Sequence, residues 1–110
     1  MNKRTIKELL RLNLNVSGYR ACVVLRYQRD IDEYVEHLCN KHNIRYFKQA
    51  MEIKNVNNDS RIRFITPNYP TEKIMGMKID HVITDDIVKN DTMDNLISRV
   101  KDSDYVISIE

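Results

Sequence analysis

Apolar residues recur at Ile6, Leu9, Leu10 and Leu14, the spacing that lines one face of a helix, and they predict a first helix over Lys3 to Asn13. Thr5 and Glu8 have the form of a capping box at its start. Ser17-Gly18 ends the unit. Ala21 to Leu25 is then a continuous β-prone run with no polar face, the pattern of a parallel strand covered on both sides. Arg26 to Arg29 lead out of it, with Asp30 as the expected cap of a second helix. On that helix Ile31, Tyr34, Val35, Leu38, Cys39 and His42 follow the i, i+3, i+4 series closely. Ile44 to Lys48 reads as a short strand, which completes a right-handed βαβ unit and implies a parallel sheet at this point.

The period changes in the second half. Met51 to Asn55 and Arg61 to Thr66 flank a cluster of turn formers, and the Arg61-Ile62-Arg63-Phe64 alternation implies one dry and one wet face, as in an antiparallel hairpin. Pro67 and Pro70 break the chain before Thr71 to Met75, a predicted single helical turn ending at Gly76. Lys78 to Thr84 enters the sheet again, and Asp85 and Asp86 stand at its exit. Asp91-Thr92 caps a third predicted helix carrying Met93, Leu96, Ile97 and Val100; after a turn at Ser103-Asp104, Tyr105, Val106, Ile107, Ser108 and Ile109 form a last strand. The expectation is one α/β domain over 1–110, a three-layer sandwich with a mostly parallel sheet and an added β-hairpin.

Composition adds an asymmetry. The net charge is +2, but residues 1–50 carry ten Lys or Arg against five acids, and residues 51–110 carry eight against eleven. A basic front could meet nucleic acid through Arg26, Arg29 and Arg45, although scattered cations are more often a solvated face. The sequence offers no interleaved aromatics as a stacking platform, which ranks nucleic acid below a protein partner. Cys22 and Cys39 lie at apolar positions without zinc spacing, and read as buried thiols of a reducing cytoplasm. No segment resembles a signal peptide or approaches membrane length, so a cytoplasmic protein without a membrane partner is expected. His37, His42 and His81 have no ligand spacing around them, and packing roles are expected for His42 and His81.

The residues that could carry chemistry are few. A strand ending in two acids can present one carboxylate to Mg²⁺ while the next polarises something else, which makes Asp85 and Asp86 the candidate metal and catalytic residues. Acids at a strand exit also simply cap the following loop, with about equal odds. Arg61 and Arg63, projecting together from the wet side of the hairpin, could hold a phosphate or phosphodiester, although charged residues on the open face of a hairpin are more often simply solvated. With Asp80 added, these residues would make a magnesium-dependent nuclease or phosphohydrolase, the alternative from the enzyme class. No Ser or Cys has an evident base partner, and no other cofactor is implied.

The order helix, apolar strand, helix, hairpin with Ser60-Arg61-Ile62-Arg63-Phe64, then Gly76-Met77-Lys78-Ile79-Asp80-His81-Val82-Ile83-Thr84-Asp85-Asp86, resembles the ATPase domain of phage terminase large subunits and related helicase-like P-loop NTPases. The resemblance implies that Asp85 stands for the magnesium-binding acid, Asp86 for the catalytic glutamate, and Tyr105 to Ile109 for the strand after Walker B. The similarity spans most of the chain in pattern more than identity. The Gly-x-x-x-x-Gly-Lys-Ser/Thr loop that cradles phosphates is absent, and the first helix resembles the one that follows it. The expected protein is therefore a catalytically inactive, P-loop NTPase-like module lacking the P-loop strand, of phage or mobile-element origin. It would bind a protein partner or itself through the edge left open at Tyr105 to Ile109, with inhibition of host machinery or defence as one specific form.

Overall fold

The computed structural model describes residues 1–70, 78–85, 91–98 and 106–110. Its elements are α1 (Lys3–Asn13), β1 (Arg20–Val24), α2 (Gln28–Leu38), β2 (Ile44–Phe47), β3 (Glu52–Asn55), β4 (Ser60–Ile65), β5 (His81–Thr84), α3 (Asp91–Ile97) and β6 (Val106–Ser108). The strands form one sheet in the order β2-β3-β4-β1-β5-β6. β1 pairs in parallel with both β4 and β5, and β5 in parallel with β6; β3 alone runs against its neighbours. The expected βαβ unit exists with a difference. β2 runs in the direction of β1 but lies beyond β4 and β3, and its pairing with β3 is antiparallel. α2 therefore carries the chain across two strand positions, which the returning meander β2-β3-β4 then fills.

The two faces of the sheet are covered unequally. On one face Val23, Ile53, Ile62, Phe64 and Ile83 pack against Ile6 and Leu10 of α1 and Ile31, Tyr34 and Leu38 of α2. On the other face, Met93 and Leu96 of α3 pack with Ile79 and Tyr69 against Cys22, Val24, Ile65 and Val82. β1 is buried from Ala21 onward because it sits between the two layers of helices, which is why its sequence shows no alternation. Farther out, over β4, β3 and β2, no helix among the described residues covers the second face, and there the sequence alternates.

Several local expectations are corrected. The cap of α1 is Asn2, whose Oδ1 accepts from the Thr5 backbone N–H and hydroxyl at 2.9 Å each, while Glu8 pairs with Arg11 at 2.7 Å. The helix begins at Lys3, so Thr5 sits at its third position, where it receives a cap instead of supplying one. α2 starts at Gln28 with Tyr27 as a cap residue that makes no side-chain hydrogen bond; Asp30 lies in its first turn, favourable to the helix dipole. α2 ends at Leu38, so His42 is exposed beyond it and has no packing role, and Cys39 is half-buried at the cap. Ile97 is exposed at the end of α3. β5 starts at His81, three residues later than expected. The predicted turn at Thr71 to Gly76, together with Asp86, Val100, Ser103, Asp104 and Tyr105, lies outside the described residues. No helix of the described residues is long and apolar enough to cross a membrane.

Candidate functional site

The adjacent parallel strands β1 and β5 send the chain on to helices on opposite faces of the sheet. After β1 the chain enters α2 on one face; after β5 it enters α3 on the other. The C-terminal ends of β1 and β5 thus bound the crevice where open α/β sheets place ligands. Asp85 stands exposed at that edge, with Arg26, Tyr27 and Arg29 at the start of α2. The Arg29 guanidinium lies 5.0 Å from the Tyr27 ring centre, a cation–π contact. Burial, reinforced by the charges of Glu33, Asp30 and Asp85, pushes the Tyr34 phenol up to about 12.

The structure separates residues that the sequence allowed to act together. Asp80 and Asp85 lie at opposite ends of β5, about 16 Å apart at a strand's rise of roughly 3.3 Å per residue. The Asp80 carboxylate accepts from the Arg20 backbone N–H at 2.8 Å, which fixes it at the N-terminal end of β1. Arg61 pairs with Arg20 at that same end, so neither Arg61 nor Asp80 reaches the edge where Asp85 stands. Among the described residues no group of three or more His, Cys, Asp or Glu is arranged to hold a metal ion. Asp86, the second acid of the pair proposed from the sequence, lies outside the described residues.

Arg26, Arg29 and Arg45 likewise fail to form one basic front. Arg26 and Arg29 belong to the C-terminal edge, whereas Arg45 lies on the open face of β2 with Arg61 and Arg63 of β4. The register brings Arg45 opposite Lys54, Lys54 opposite Arg61, and Arg61 opposite Arg20. A depression of about 590 Å³ on this face is lined by Arg20, Arg61, Arg63 and Lys78 around Glu52. The acids are shared: Glu52 lies 3.8 Å from Arg61 and 4.0 Å from Arg63, and the Asp59 carboxylate bridges Arg61 and Arg20 at 3.0 Å each. Hydrogen bonds from Arg61 and then Arg20 hold the Asp59 carboxyl below its usual range. Asp59 can sit between them because it takes a left-handed φ of 61°, a conformation Asp tolerates in turns. Sequence reading missed Arg20, Lys54 and Lys78, since only strand register shows which cations share a row.

A second depression, of about 710 Å³, lies at the N-terminal ends of β1 and β5, between the α1–β1 turn and Asp80–His81. At its base the Tyr19 hydroxyl and His81 Nδ1 are 2.7 Å apart. Burial raises the Tyr19 phenol and, against the charge of Asp80, lowers the His81 imidazole; the tautomer of His81 sets which of the two donates.

β6 is the edge strand, as the last strand of the sequence was expected to be. Its far end is not bare, however. The Met1 amine donates to the Ser108 carbonyl at 3.2 Å, and Glu110 N–H donates to the Met1 carbonyl at 2.9 Å. That pair of bonds flanking Ile109 is the pattern of a parallel ladder. Comparison with protein-family models, curated proteins and solved structures finds no match to this chain.

Proposed function

We propose that this chain is a non-hydrolytic binding module, related in plan to the P-loop ATPase domains it resembles, that acts through protein–protein contacts at β6. The observation that carries this reading is the seat of Met1: one residue of parallel backbone already occupies the outer side of β6 beside Ile109. Ile109 N–H turns inward to Thr84, so by alternation Val106 and the Ser108 N–H face outward, the Ser108 carbonyl being held by Met1. A strand from a second copy, or from another protein, would extend the ladder that Met1 begins. The acid-tipped strand β5 lies between β1 and this edge strand, an order in keeping with the resemblance. The 110 residues hold only Gly18 and Gly76 and no Gly-x-x-x-x-Gly-Lys run, hence no cradle of glycine amides for phosphates. A phage or mobile-element setting, with inhibition of host machinery, is the specific form the resemblance gives this reading.

Light scattering on the purified protein, with and without ATP and magnesium, tests it. The expected result is a dimer indifferent to nucleotide that becomes a monomer on Val106→Pro, since proline is tolerated at the first residue of an edge strand but removes its outward donor. A monomer whose mass or melting temperature changes with ATP and magnesium would overturn the reading. A monomer insensitive to both would remove the self-pairing form.

A further inference from the structure

We propose that the open face of β2-β3-β4-β1 is a binding surface for single-stranded nucleic acid, with the phosphate backbone laid along the row Arg45, Lys54, Arg61 and Arg20. The row takes one cation from each of four adjacent strands, and the register makes every neighbouring pair a like-charge pair. Like charges directly opposite one another destabilise a sheet; Asp59 bridges Arg61 and Arg20, which leaves Arg45 opposite Lys54 as a like-charge pair with no ion pair to an acid among the described residues. Strand spacing makes the row about 14 Å long. Arg63 and Lys78 flank it, and Glu52 and Asp59 only partly offset its charge.

The chemistry of the occupant follows from what accompanies the charge. Phe47 is 45% exposed on the same face, two residues beyond Arg45, and offers a base the apolar surface that phosphate contacts lack. The surface is a broad sheet without a projecting helix or ribbon among the described residues, so nothing here enters the major groove of a duplex. A single strand, whose bases are free to stack while its phosphates track the row, fits both features. This surface is separate from the β6 edge, at the opposite side of the sheet, and the inference stands whether or not β6 pairs with a partner.

The test is fluorescence anisotropy of a labelled single-stranded oligothymidylate and its oligouridylate counterpart, measured from 50 to 200 mM salt. The expected wild-type affinity falls steeply with salt, and Arg45→Gln combined with Lys54→Gln weakens binding at least tenfold and lowers the salt slope by about two. That double variant should melt no lower than wild type, because it relieves repulsion, so its failure to bind is not a failure to fold. Phe47→Ala should weaken binding about fivefold or more with the slope unchanged. Arg26→Gln with Arg29→Gln, at the other edge, should bind as wild type. Absence of salt-dependent binding by the wild-type protein, binding by the Arg45/Lys54 variant equal to wild type, or tighter binding of duplex than of single strand would each overturn the proposal.

Discussion

The side-chain amide of Asn55 donates to the Leu14 carbonyl at 2.8 Å and ties the end of α1 to the end of β3, 41 residues later. The same oxygen also receives Asn58 Nδ2 and Ser60 Oγ at 2.8 Å each, so the β3–β4 turn caps a helix terminus that would otherwise carry an orphan carbonyl. A carbonyl has two lone pairs, and the loss of one donor among three leaves it satisfied. Asn55 is different, because it is buried and its Oδ1 also accepts from Asn43 Nδ2 and the Asn57 N–H. Asn55→Ala should therefore cost about 2 kcal/mol, and Ser60→Ala under about 1 kcal/mol. Urea denaturation of the two variants measures the difference; equal costs would show that Asn55 is not the hub of the turn.

Tyr34 offers the opposite case. It is fully buried beside Phe64, with ring centres 6.3 Å apart, and its hydroxyl has no hydrogen-bond partner among the described residues. Removing the oxygen keeps the packing and deletes a desolvated polar atom. Tyr34→Phe is expected to leave stability unchanged or raise it by up to about 1 kcal/mol. A clear fall in melting temperature would mean that the hydroxyl is bonded after all.

His81 should make stability depend on pH. Burial lowers its folded pKa below the ordinary 6.5, despite the opposing charge of Asp80. The unfolded chain then takes up its proton first as pH falls, so the contribution is present above about 6.5 and declines below it. His37 and His42 are exposed, and the lowered carboxyls of Glu8, Glu33 and Asp59 titrate at lower pH. The unfolding midpoint should therefore drop between pH 7.5 and 5.5, and His81→Asn should flatten that drop. An equal drop in both proteins would assign it elsewhere.

Glu52 separates stability from binding. Its carboxylate lies between Arg61 and Arg63, and Glu52→Gln would leave the cationic row less compensated. The expected outcome is a stability loss of about 1 kcal/mol or less, at low salt, together with tighter single-strand binding. Melting curves and anisotropy on the same sample check both signs; a loss of affinity would count against the row as the binding surface.

Local patterning of apolar and polar residues was enough to assign the elements and their classes. α1 was legible to the residue because Ile6, Leu10 and Leu14 must face one core, and β1 was legible as a strand covered on both sides because Ala21 to Leu25 offer no polar side chain. The turn formers between Asn55 and Ser60 marked the hairpin, the apolar run before Asp85 marked β5, and the edge position of the last strand was what the resemblance implied. The ends of α2 were less legible, since Tyr27 caps it without a side-chain hydrogen bond and the helix stops at Leu38.

Which side chains meet depended on strand order and register in the folded sheet. Periodicity is a local property that says which face a residue takes, whereas strand order and register join residues far apart in the chain. Asp80 and Asp85, close in sequence, are held at opposite ends of one strand. Arg20, Arg45, Lys54 and Arg61, scattered over two halves of opposite net charge, stand side by side because β4 returns beside β1 and the meander sets each of their strands one spacing from the next. A sum of charge along the chain cannot show that row, because its geometry is created by hydrogen bonding between strands and exists only once the sheet has formed.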